Sequence, residues 1–443
     1  MDFTGGLTFT GGLSVTKEPP SIINYLASSL SSSGATLSYF QSMCSDSTGN
    51  SYYLCLGTTP ASIIAYKCNS SGVVQWATTI ACAPDTSSYQ GLGVGGITVD
   101  SSGNVYFIKN ASVAKNMVIV KCNSSGTVQW QRTLGDGTNQ ALGCGIAVDS
   151  SGNVYITGAV STSLILAKFD SSGTLLWQRQ IAAGTNTIYN RGLNSVVIDS
   201  AGNVYAGGQV NSSYDRALLV KYNSSGTIQW QTQLSTTQNT NVFQSLHMDS
   251  TNSYIYCVGQ ASNSQSNDMM VAKYNTSGTF QWARKLGATN VTDVGARGAV
   301  DSSDNVYLAG YYTSGNDYQA VYKVDSSGSL VWSRTVAKTG ATYTRGQGIA
   351  AGPNNTFYLV TEDVFNPNPA ISWRLPNDGT MTGSYTVGAS TFTYSTYSGS
   401  IVTFTGTIAS SQSESAASLT AATSSYTVST STITATVTTI ATT

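Results

Sequence analysis

His247 is the single histidine of this 443-residue sequence, and it is the first residue to consider for acid–base chemistry. A lone imidazole with no carboxylate or metal ligand near it in the sequence is typical of a core or channel-lining position. Glycoside hydrolysis requires two carboxylates in one site. Of the glutamates, Glu18 and Glu414 lie near the two ends of the chain, and only Glu362 lies within its body. The sequence therefore predicts no catalytic residue and no enzyme activity.

Motifs for cofactors and metals are also missing from the sequence. It contains no phosphate-binding P-loop, no Gly-x-Ser-x-Gly nucleophile motif and no His-Glu-x-x-His zinc motif. The seven cysteines include no Cys-x-x-Cys pair, which favours buried free thiols over disulfides or a zinc site. We therefore expect no cofactor and no metal.

The composition of the chain is unusually poor in charge. Charged residues make up 9% of it, against about 25% in ordinary soluble proteins, and the net charge is −1. Such a chain has no broad attraction to nucleic acid or to an anionic membrane. No apolar run approaches the roughly 18 residues of a membrane span, and the N-terminus lacks the features of a signal peptide. The abundance of serine, threonine and tyrosine is typical of all-β proteins that work outside cells or on virus particles.

Two short motifs recur along the chain with a period of about 50 residues. The first is an Asp-x-x-Gly-Asn turn, which begins at Asp46, Asp100, Asp149 and Asp199 and decays at Asp249 and Asp301. The second is Lys-x-[Asn/Asp]-x-Ser-Gly followed by a tryptophan, and its tryptophans are Trp76, Trp130, Trp177, Trp230, Trp282 and Trp332. A degenerate seventh copy at 346–388 has Arg374 in place of the lysine and Gly383 in place of the tryptophan.

Each copy of the repeat divides into four short β segments. In the third copy these are 145–149, 153–160, 164–170 and 174–181, joined in pairs by Asx and glycine turns. Four strands per unit in seven units are the signature of a β-propeller, in which every blade buries its faces against its neighbours. We therefore predict an all-β fold: a seven-bladed β-propeller of four-stranded blades, with a short N-terminal arm and a C-terminal β-rich tail.

The repeats resemble a bacterial β-propeller repeat family known as SBBP. Units of that family carry an Asp-x-x-Gly-Asn-x-Tyr turn and a later Lys-Tyr-[Asn/Asp]-x-x-Gly-x-x-x-Trp, which DSSGNVYITG (149–158) and VKYNSSGTIQW (220–230) match. The resemblance covers roughly residues 35–388 and implies a seven-bladed wheel without a fixed activity. The Asn-Ser-Ser-Gly-Thr turns also resemble the Asp-boxes of sialidases, which are structural hairpins.

The repeated tryptophans and lysines are interpreted as structural residues. Identical surfaces must recur from blade to blade, because each blade packs on the next one, and ring symmetry argues against a catalytic role. The lysines that precede the second turn are Lys67, Lys121, Lys168, Lys221, Lys273 and Lys323. Because seven units lie between about 35 and 388, we expect neither end of the chain to be needed to close the ring.

Connections on one face of the predicted wheel are short and uniform, whereas those on the opposite face differ from blade to blade. A rigid scaffold with one adaptable face is typical of recognition proteins, and tyrosine and arginine suit contacts with glycans or proteins. The candidate binding residues on the variable face are Tyr89, Tyr189, Arg191, Tyr214, Arg297, Tyr318, Tyr343 and Arg345. The alternative is that these segments are ordinary solvated loops.

The N-terminal segment 1–20 is predicted to be a docking arm, separate from the propeller at 21–388. It repeats FTGGLT as FTGGLS, and it resembles the short Gly-Gly-rich arms that begin virion proteins of marine phages. The side chains expected to enter pockets of a partner are Phe3, Leu7, Phe9 and Leu13. The alternative is a disordered arm.

The C-terminal segment 389–443 is predicted to be a Ser/Thr-rich β tail. Strands with almost no charge expose edges that aggregate unless they are paired. We therefore expect the tail to act in oligomerisation or anchoring, by pairing with another subunit or with the rim of the propeller.

These patterns together predict a non-enzymatic structural protein of a virion, such as a phage tail, fibre or capsid-decorating component. Its expected partners are other virion proteins, reached through the arm or the tail, a host-surface glycan or protein, and further copies of itself. We expect a location on the virion and no binding to nucleic acid or membrane. The alternative is a bacterial secreted or cell-surface propeller that binds glycan or protein.

Overall fold

A computed structural model describes most of the chain. The described residues are 24–33, 37–58, 61–81, 96–111, 115–182, 192–211, 215–235, 241–262, 267–287, 292–346, 348–363, 371–387, 390–398, 400–403, 407–409, 414–416, 420–423, 427–430 and 432–442. Within these ranges the backbone forms 37 strands and no helix. The predicted all-β class is therefore confirmed.

The described strands form seven sheets, and each sheet is one blade of a propeller around a central channel. In blades one to six, four consecutive strands pair in order from the channel outwards. These strands are β2 (Leu37–Ser45), β3 (Ser51–Thr58), β4 (Ala61–Cys68) and β5 (Val74–Ala81) in blade one; β6 (Gly96–Val99), β7 (Val105–Ala111), β8 (Asn116–Cys122) and β9 (Val128–Gly135) in blade two; β10 (Ala141–Val148), β11 (Val154–Val160), β12 (Ser163–Phe169) and β13 (Leu175–Ala182) in blade three; β14 (Leu193–Ile198), β15 (Val204–Asn211), β16 (Asp215–Tyr222) and β17 (Ile228–Ser235) in blade four; β18 (Asn241–Met248), β19 (Tyr254–Ser262), β20 (Asn267–Asn275) and β21 (Phe280–Gly287) in blade five; and β22 (Thr292–Val300), β23 (Val306–Ser314), β24 (Asn316–Val324) and β25 (Leu330–Lys338) in blade six. The prediction of four-stranded propeller blades is confirmed.

Blade seven combines strands from two distant parts of the chain. β27 (Ile349–Gly352) and the short β26 (Thr344–Arg345) pair with β28 (Thr356–Asp363), which pairs in turn with β29 (Ile371–Pro376). The fourth strand is β1 (Asn24–Ser33), which runs antiparallel to β29. The expectation that neither end of the chain is needed to close the ring is therefore wrong, because the N-terminal strand completes the last blade.

After β29 the chain turns back and runs once around the outside of the wheel. The predicted seventh copy of the repeat extends to 388, but its last strand, β30 (Gly383–Val387), pairs with β31 (Ser390–Thr396) in the sheet of blade six. The later tail strands join blades five, four, three, two, one and seven in that order: β32 (Ser400–Thr403), β33 (Thr407–Ala409), β34 (Glu414–Ala416), β35 (Thr420–Thr423), β36 (Thr427–Thr430) and β37 (Thr432–Thr442). We call β31–β37 the belt. It adds one strand to the outer edge of every blade.

The register of the belt follows the repeat of the wheel. In six blades one belt residue lies opposite the buried aliphatic residue that follows the repeat tryptophan by four positions. These pairs are Tyr394 with Val336, Ile401 with Leu286, Ile408 with Leu234, Glu414 with Ile181, Ala421 with Leu134 and Val428 with Ile80. The belt thus advances seven residues from blade to blade, with one step of six, which is about 23 Å of extended chain.

Apolar side chains fill the gaps between neighbouring blades. Among the described residues there are seven buried clusters, and each of them is built from two adjacent blades. Between blades one and two, for example, Ile63 from β4 packs in the same cluster as Phe107 from β7. Both faces of each sheet are therefore buried, which explains why the strands alternate so weakly between apolar and polar residues.

The repeated Lys-…-Trp motif forms a latch between successive blades. Lys168 Nζ and Trp177 Nε1 of blade three both donate to the carbonyl oxygen of Ser224 in blade four, at 3.4 and 3.2 Å. Lys168 Nζ also lies 5.0 Å from the centre of the Tyr155 ring. The turn glycine Gly226 has φ +75°, and a Cβ at this position would lie 2.8 Å from the Trp177 ring. The glycine is needed both for its backbone angle and for close contact with the latch.

The same latch recurs around the ring. The donor and acceptor residues are Trp76 with Ser124; Lys121 and Trp130 with Ser171; Lys221 and Trp230 with Thr276; Lys273 with Ser326; Lys323 and Trp332 with Asn377; and Arg374 with Ser70. The last of these joins blade seven to blade one. Arg374 therefore makes the same contact as the lysine that it replaces in the repeat. These contacts agree with the interpretation of the tryptophans and lysines as structural residues.

We expect Trp177→Ala to lower the free energy of unfolding by about 2–4 kcal/mol, because a half-buried ring and its hydrogen bond are lost. Chemical denaturation measures this change. The matched control is Leu176→Ala, since Leu176 is 51% exposed and its truncation should change stability by no more than about 0.5 kcal/mol. Equal losses for both variants would argue against the latch.

Deleting 398–443 removes β32–β37 and uncovers the outer strand of six blades. Because unpaired strand edges associate with other chains, we expect the truncated chain to sediment as larger species than the full-length chain at the same concentration. The control is deletion of 1–16, which leaves every described edge covered and should not change sedimentation by this route. A folded truncation that sediments like the full-length chain, corrected for mass, would contradict this role of the belt.

Candidate functional site

The propeller has two unlike faces. The turns between the first and second strands and between the third and fourth strands lie on one side, which we call the latch face because it carries the latch contacts. In blade three, Asp149 Oδ1 accepts hydrogen bonds from the backbone amides of Ser151 and Asn153, both at 2.9 Å, and Tyr155 Oη donates to Asp149 Oδ2 at 3.1 Å. The remaining connections lie on the opposite side, which we call the loop face.

The structure describes four of the eight candidate binding residues predicted for the loop face. Tyr89, Tyr189, Arg191 and Tyr214 lie outside the described residues, as do the candidate docking residues of the arm, Phe3, Leu7, Phe9 and Leu13. Of the others, Tyr343 and Arg345 lie together at the junction of blades six and seven, Tyr318 lies on the other face of blade six, and Arg297 lies in the central channel.

Arg345 is the centre of the group at this junction. Its guanidinium lies 4.3 Å from the centre of the Tyr311 ring and 5.3 Å from that of the Tyr343 ring. It forms an ion pair with Asp317, whose side chain is 3% exposed. Asp317 is itself held by Thr313 Oγ1, which donates to it at 2.7 Å. The arginine is therefore fixed in position on the loop face.

A stack of tyrosines lies on the opposite face of blade six, towards blade five. The Tyr312 ring stacks on Tyr318, with centroids 5.2 Å apart, and on Tyr397, with centroids 4.4 Å apart. Tyr397 is buried, whereas Tyr312 and Tyr318 are partly exposed. We call Tyr311, Tyr312, Asp317, Tyr318, Tyr343 and Arg345 the rim cluster. The partly exposed Tyr312 and Tyr318 rings can stack on flat ligands on one face of blade six, and the fixed arginine lies on its other face.

A buried polar network lies beneath the rim cluster and joins blades six and seven. Gln319 Nε2 donates to the carbonyl oxygens of Gly346 and Val360, at 3.1 and 2.7 Å. Gln319 Oε1 accepts from Thr361, and Trp373 Nε1 donates to Thr361 Oγ1 at 2.9 Å. Each of these side-chain atoms has a hydrogen-bond partner, and a buried network of this kind makes the surface above it rigid.

Sequence reasoning missed Tyr311, Tyr312 and Asp317. Tyr311 and Tyr312 lie at the end of β23, and Asp317 lies at the start of β24. The signal that could have found them is the density of tyrosine in GYYTSGNDYQ, where Tyr311, Tyr312 and Tyr318 lie on a single hairpin.

The central channel encloses about 450 Å³ and is lined by the first strand of each blade. His247 and Arg297 both line it. Burial, and then the charge of Arg297, lower the pKa of His247 to about 4, so the imidazole is neutral at neutral pH. The channel-lining alternative for His247 thus agrees with its position.

The described part of the chain contains few side chains placed for acid–base chemistry or metal binding. No group of three His, Cys, Asp or Glu side chains is placed there to hold a metal ion. The six described cysteines are free thiols, and five of them are buried. Glu362 is half-buried, and its Oε2 accepts a hydrogen bond from the backbone amide of Phe40 at 3.2 Å. Burial raises the pKa of Glu362 to about 7, although the Phe40 amide and the charge of Arg345 oppose the rise.

Glu362 should make the stability of the fold depend on pH. A glutamate in the unfolded chain has a pKa of 4.5, so the folded chain binds this proton more tightly. The contribution is complete below pH 4.5, declines as the pH rises, and is lost above about pH 7. We expect Glu362→Gln to abolish this decline and to be more stable than the wild type at pH 8, by about 2–3 kcal/mol.

Chemical denaturation at pH 5 and pH 8 tests this expectation. Asp136→Asn is the control, because hydrogen bonds to Asn139 and Thr138 overcome burial and lower the pKa of Asp136, so that it does not titrate in this window. A Glu362→Gln variant with the same pH dependence as the wild type would show that folding does not raise the pKa of Glu362.

Residues 114–338, just over half of the chain, match the model of the family described as outer membrane protein assembly factor BamB. The chain belongs to this family. The propeller part of the resemblance drawn from the repeats is thereby confirmed. No curated protein matches this chain. The described residues contain no helix, and therefore none that is long and apolar enough to cross a membrane.

Solved structures with a similar fold include several lyases. A streptogramin B lyase is 11% identical with a TM-score of 0.52, over 79% of this chain and 98% of its own. A virginiamycin B lyase from Staphylococcus aureus, solved with quinupristin, is 12% identical with a TM-score of 0.49, over 79% of this chain and 99% of its own. The β-propeller domain of the trilobed protease from Pyrococcus furiosus is 10% identical with a TM-score of 0.43, over 76% of this chain and 95% of its own. At such identities the first likeness shows the fold alone.

Proposed function

We propose that this chain is a non-enzymatic binding scaffold that serves as a structural component of a virion, with the loop face contacting another macromolecule. The rim cluster is the observation that carries the binding part of the proposal. It combines partly exposed tyrosine rings, an arginine locked in place by Asp317 and a rigid polar network beneath them. A fixed site of this kind binds without a large loss of conformational entropy.

The chemistry of the rim cluster suits a glycan or a protein surface. Tyr312 and Tyr318 offer flat apolar rings that can pack against the C–H face of a sugar or against a side chain. Arg345 and Asp317, on the other face of blade six, supply donors and acceptors for hydroxyl groups. The host-surface glycan or protein expected as a partner fits this combination of groups.

A virion role is supported by the composition and by the belt. The chain carries 9% charged residues and a net charge of −1, so its surface relies on hydroxyl and amide groups for solubility. The belt covers the outer edge of each blade with the chain's own strands, which suits a protein packed at high density beside other copies. Because the tail is used within the chain, the arm at 1–20 is the segment that we propose to dock on other virion proteins.

The non-enzymatic part of the proposal is supported by the surroundings of His247. A general base needs a partner that stabilises its protonated form, and this is usually a carboxylate. The charge that acts on His247 is instead the cation Arg297, which lowers its pKa further than burial does alone. In the rim cluster, Arg345 is paired with Asp317 and therefore does not present an uncompensated charge to a substrate.

A second candidate is a bacterial secreted or cell-surface propeller that binds protein or glycan. The family match favours it, because the matching family is named for assembly of outer membrane proteins. Mass spectrometry and immunogold labelling of virus particles purified from the source of this chain separate the two candidates. The virion proposal expects a stoichiometric particle protein with gold on the particles; detection in envelope fractions only would overturn it in favour of the second candidate.

Binding by the rim cluster is tested on a glycan array and on host-surface extracts with the purified full-length chain. We expect Tyr318→Ala to weaken binding about tenfold, since loss of one stacking ring costs on the order of 1.4 kcal/mol. Tyr318→Phe keeps the ring and is the matched control, which should bind nearly as the wild type does. Unchanged binding by the Tyr318→Ala variant would exclude the rim cluster as the contact surface.

A further inference from the structure

The last strand of the belt is much longer than most of the others. β37 has eleven residues, whereas each of the strands β32 to β36 has three or four. An extended strand of eleven residues is about 36 Å long. Eight consecutive residues of β37, Thr432 to Thr439, pair with β1 without a bulge. Blade seven therefore ends in a long and regular strand.

One edge of β37 has no partner strand among the described residues. The sheet of blade seven runs from β26 through β28, β29 and β1 to β37, where it ends. The belt strand of blade six, β31, is covered on its outer side by β30. In an antiparallel sheet the backbone groups of a strand point alternately to its two sides, so about half of those in β37 point away from β1. These groups can bond to water or pair with another strand.

The composition of β37 does not protect this edge. Natural proteins protect edge strands with charged residues, proline, bulges or short length. β37 contains no charged residue, no proline and no glycine, and nine of its eleven residues are threonine, isoleucine or valine, which favour extended backbone. In contrast, β34 of blade three has three residues and includes Glu414. Of the described belt strands, β37 is therefore the best suited to pair with a strand of another chain.

The N-terminal arm of the same chain is poorly suited to cover the edge. Residues 1–20 contain two Gly-Gly pairs and a Pro-Pro pair, and the longest run between them is the six residues 13–18. Glycine weakens a strand, and proline removes a hydrogen bond from the ladder. A second copy of the chain offers an edge of the same length as β37. Because two antiparallel strands can be related by a two-fold axis, the edge of β37 is complementary to itself.

We propose that the chain forms a two-fold symmetric dimer in which β37 of one copy pairs antiparallel with β37 of the other. The two six-stranded sheets of blade seven then join into one sheet across the interface. Pairing of the regular run of eight residues supplies about eight backbone hydrogen bonds. Position 436 is near the middle of this run, so its two copies lie close together in the dimer. The proposal does not depend on the function proposed for the rim cluster.

Sedimentation equilibrium of the full-length chain tests the proposal. One pair of strands buries less than the roughly 1,600 Å² of a standard interface, so we expect a reversible dimer with a Kd on the order of 10 µM. Deletion of 1–16 should leave this dimer unchanged. A full-length chain that is monomeric at about 100 µM would overturn the proposal. Self-association that appears only after deletion of 1–16 would also overturn it, since the arm would then be the segment that covers the edge.

Charge variants of β37 locate the interface. Thr436→Lys and Thr436→Glu each bring like charges together across the two-fold axis, so we expect either variant to weaken the dimer at least about tenfold. An equimolar mixture of the two variants should recover dimerisation, because opposite charges then meet. The matched control is Ser429→Lys, which adds the same charge to β36 in blade one and should dimerise as the wild type does.

Three results with folded variants would overturn the proposal. They are unchanged self-association of both Thr436 variants, an equal loss in Ser429→Lys, and a mixture that does not recover the dimer. Circular dichroism shows whether the variants keep the strand content of the wild type. If they do not fold, the sedimentation of the full-length chain and of the 1–16 deletion decides.

Discussion

Every blade of a propeller ends in an outer strand whose backbone amides and carbonyls need hydrogen-bond partners. The need to cover these strand edges determines the path of the C-terminal tail around the wheel. The belt covers them with strands of three residues or more, one for each blade. Because the tail pairs with each blade in turn, the residues that it pairs with successive blades lie about seven positions apart. Its last strand, β37, pairs with β1 in blade seven. Both ends of the described chain therefore meet in the sheet that closes the ring.

Closure in this way leaves the loop face for recognition. The latch face is occupied by turns whose side chains bond to the next blade, as Lys168 and Trp177 do with Ser224. On the loop face, the rim cluster places partly exposed tyrosines on one side of blade six and a fixed arginine on the other. It is accordingly a place where this scaffold can acquire specificity.

The fold was largely predictable from sequence because its determinants are local and repeated. Trp177, Gly226 and the Asp149 turn make contacts that recur at a fixed spacing along the sequence. The interpretation of one blade therefore applies to the other blades. β1 could not be predicted, since 24–33 carries no part of the repeat and its place depends on pairing with β29, more than 330 residues away. The belt had a faint signal, because Tyr394, Ile401 and Ile408 lie seven residues apart. Arg297 was predicted for the loop face because sequence spacing does not show that β22 turns it into the channel.

Hydrogen–deuterium exchange of the full-length chain tests most directly the claim that the belt covers the blade edges. Amides of the outer strands β5, β9, β13, β17 and β21 donate alternately to β4, β8, β12, β16 and β20 and to the belt. The account predicts that amides facing the belt, and those of β32–β37 themselves, exchange far more slowly than an unstructured segment does. Exchange of the belt and of the belt-facing amides at the rate of unstructured chain, with the inner strands still protected, would contradict it.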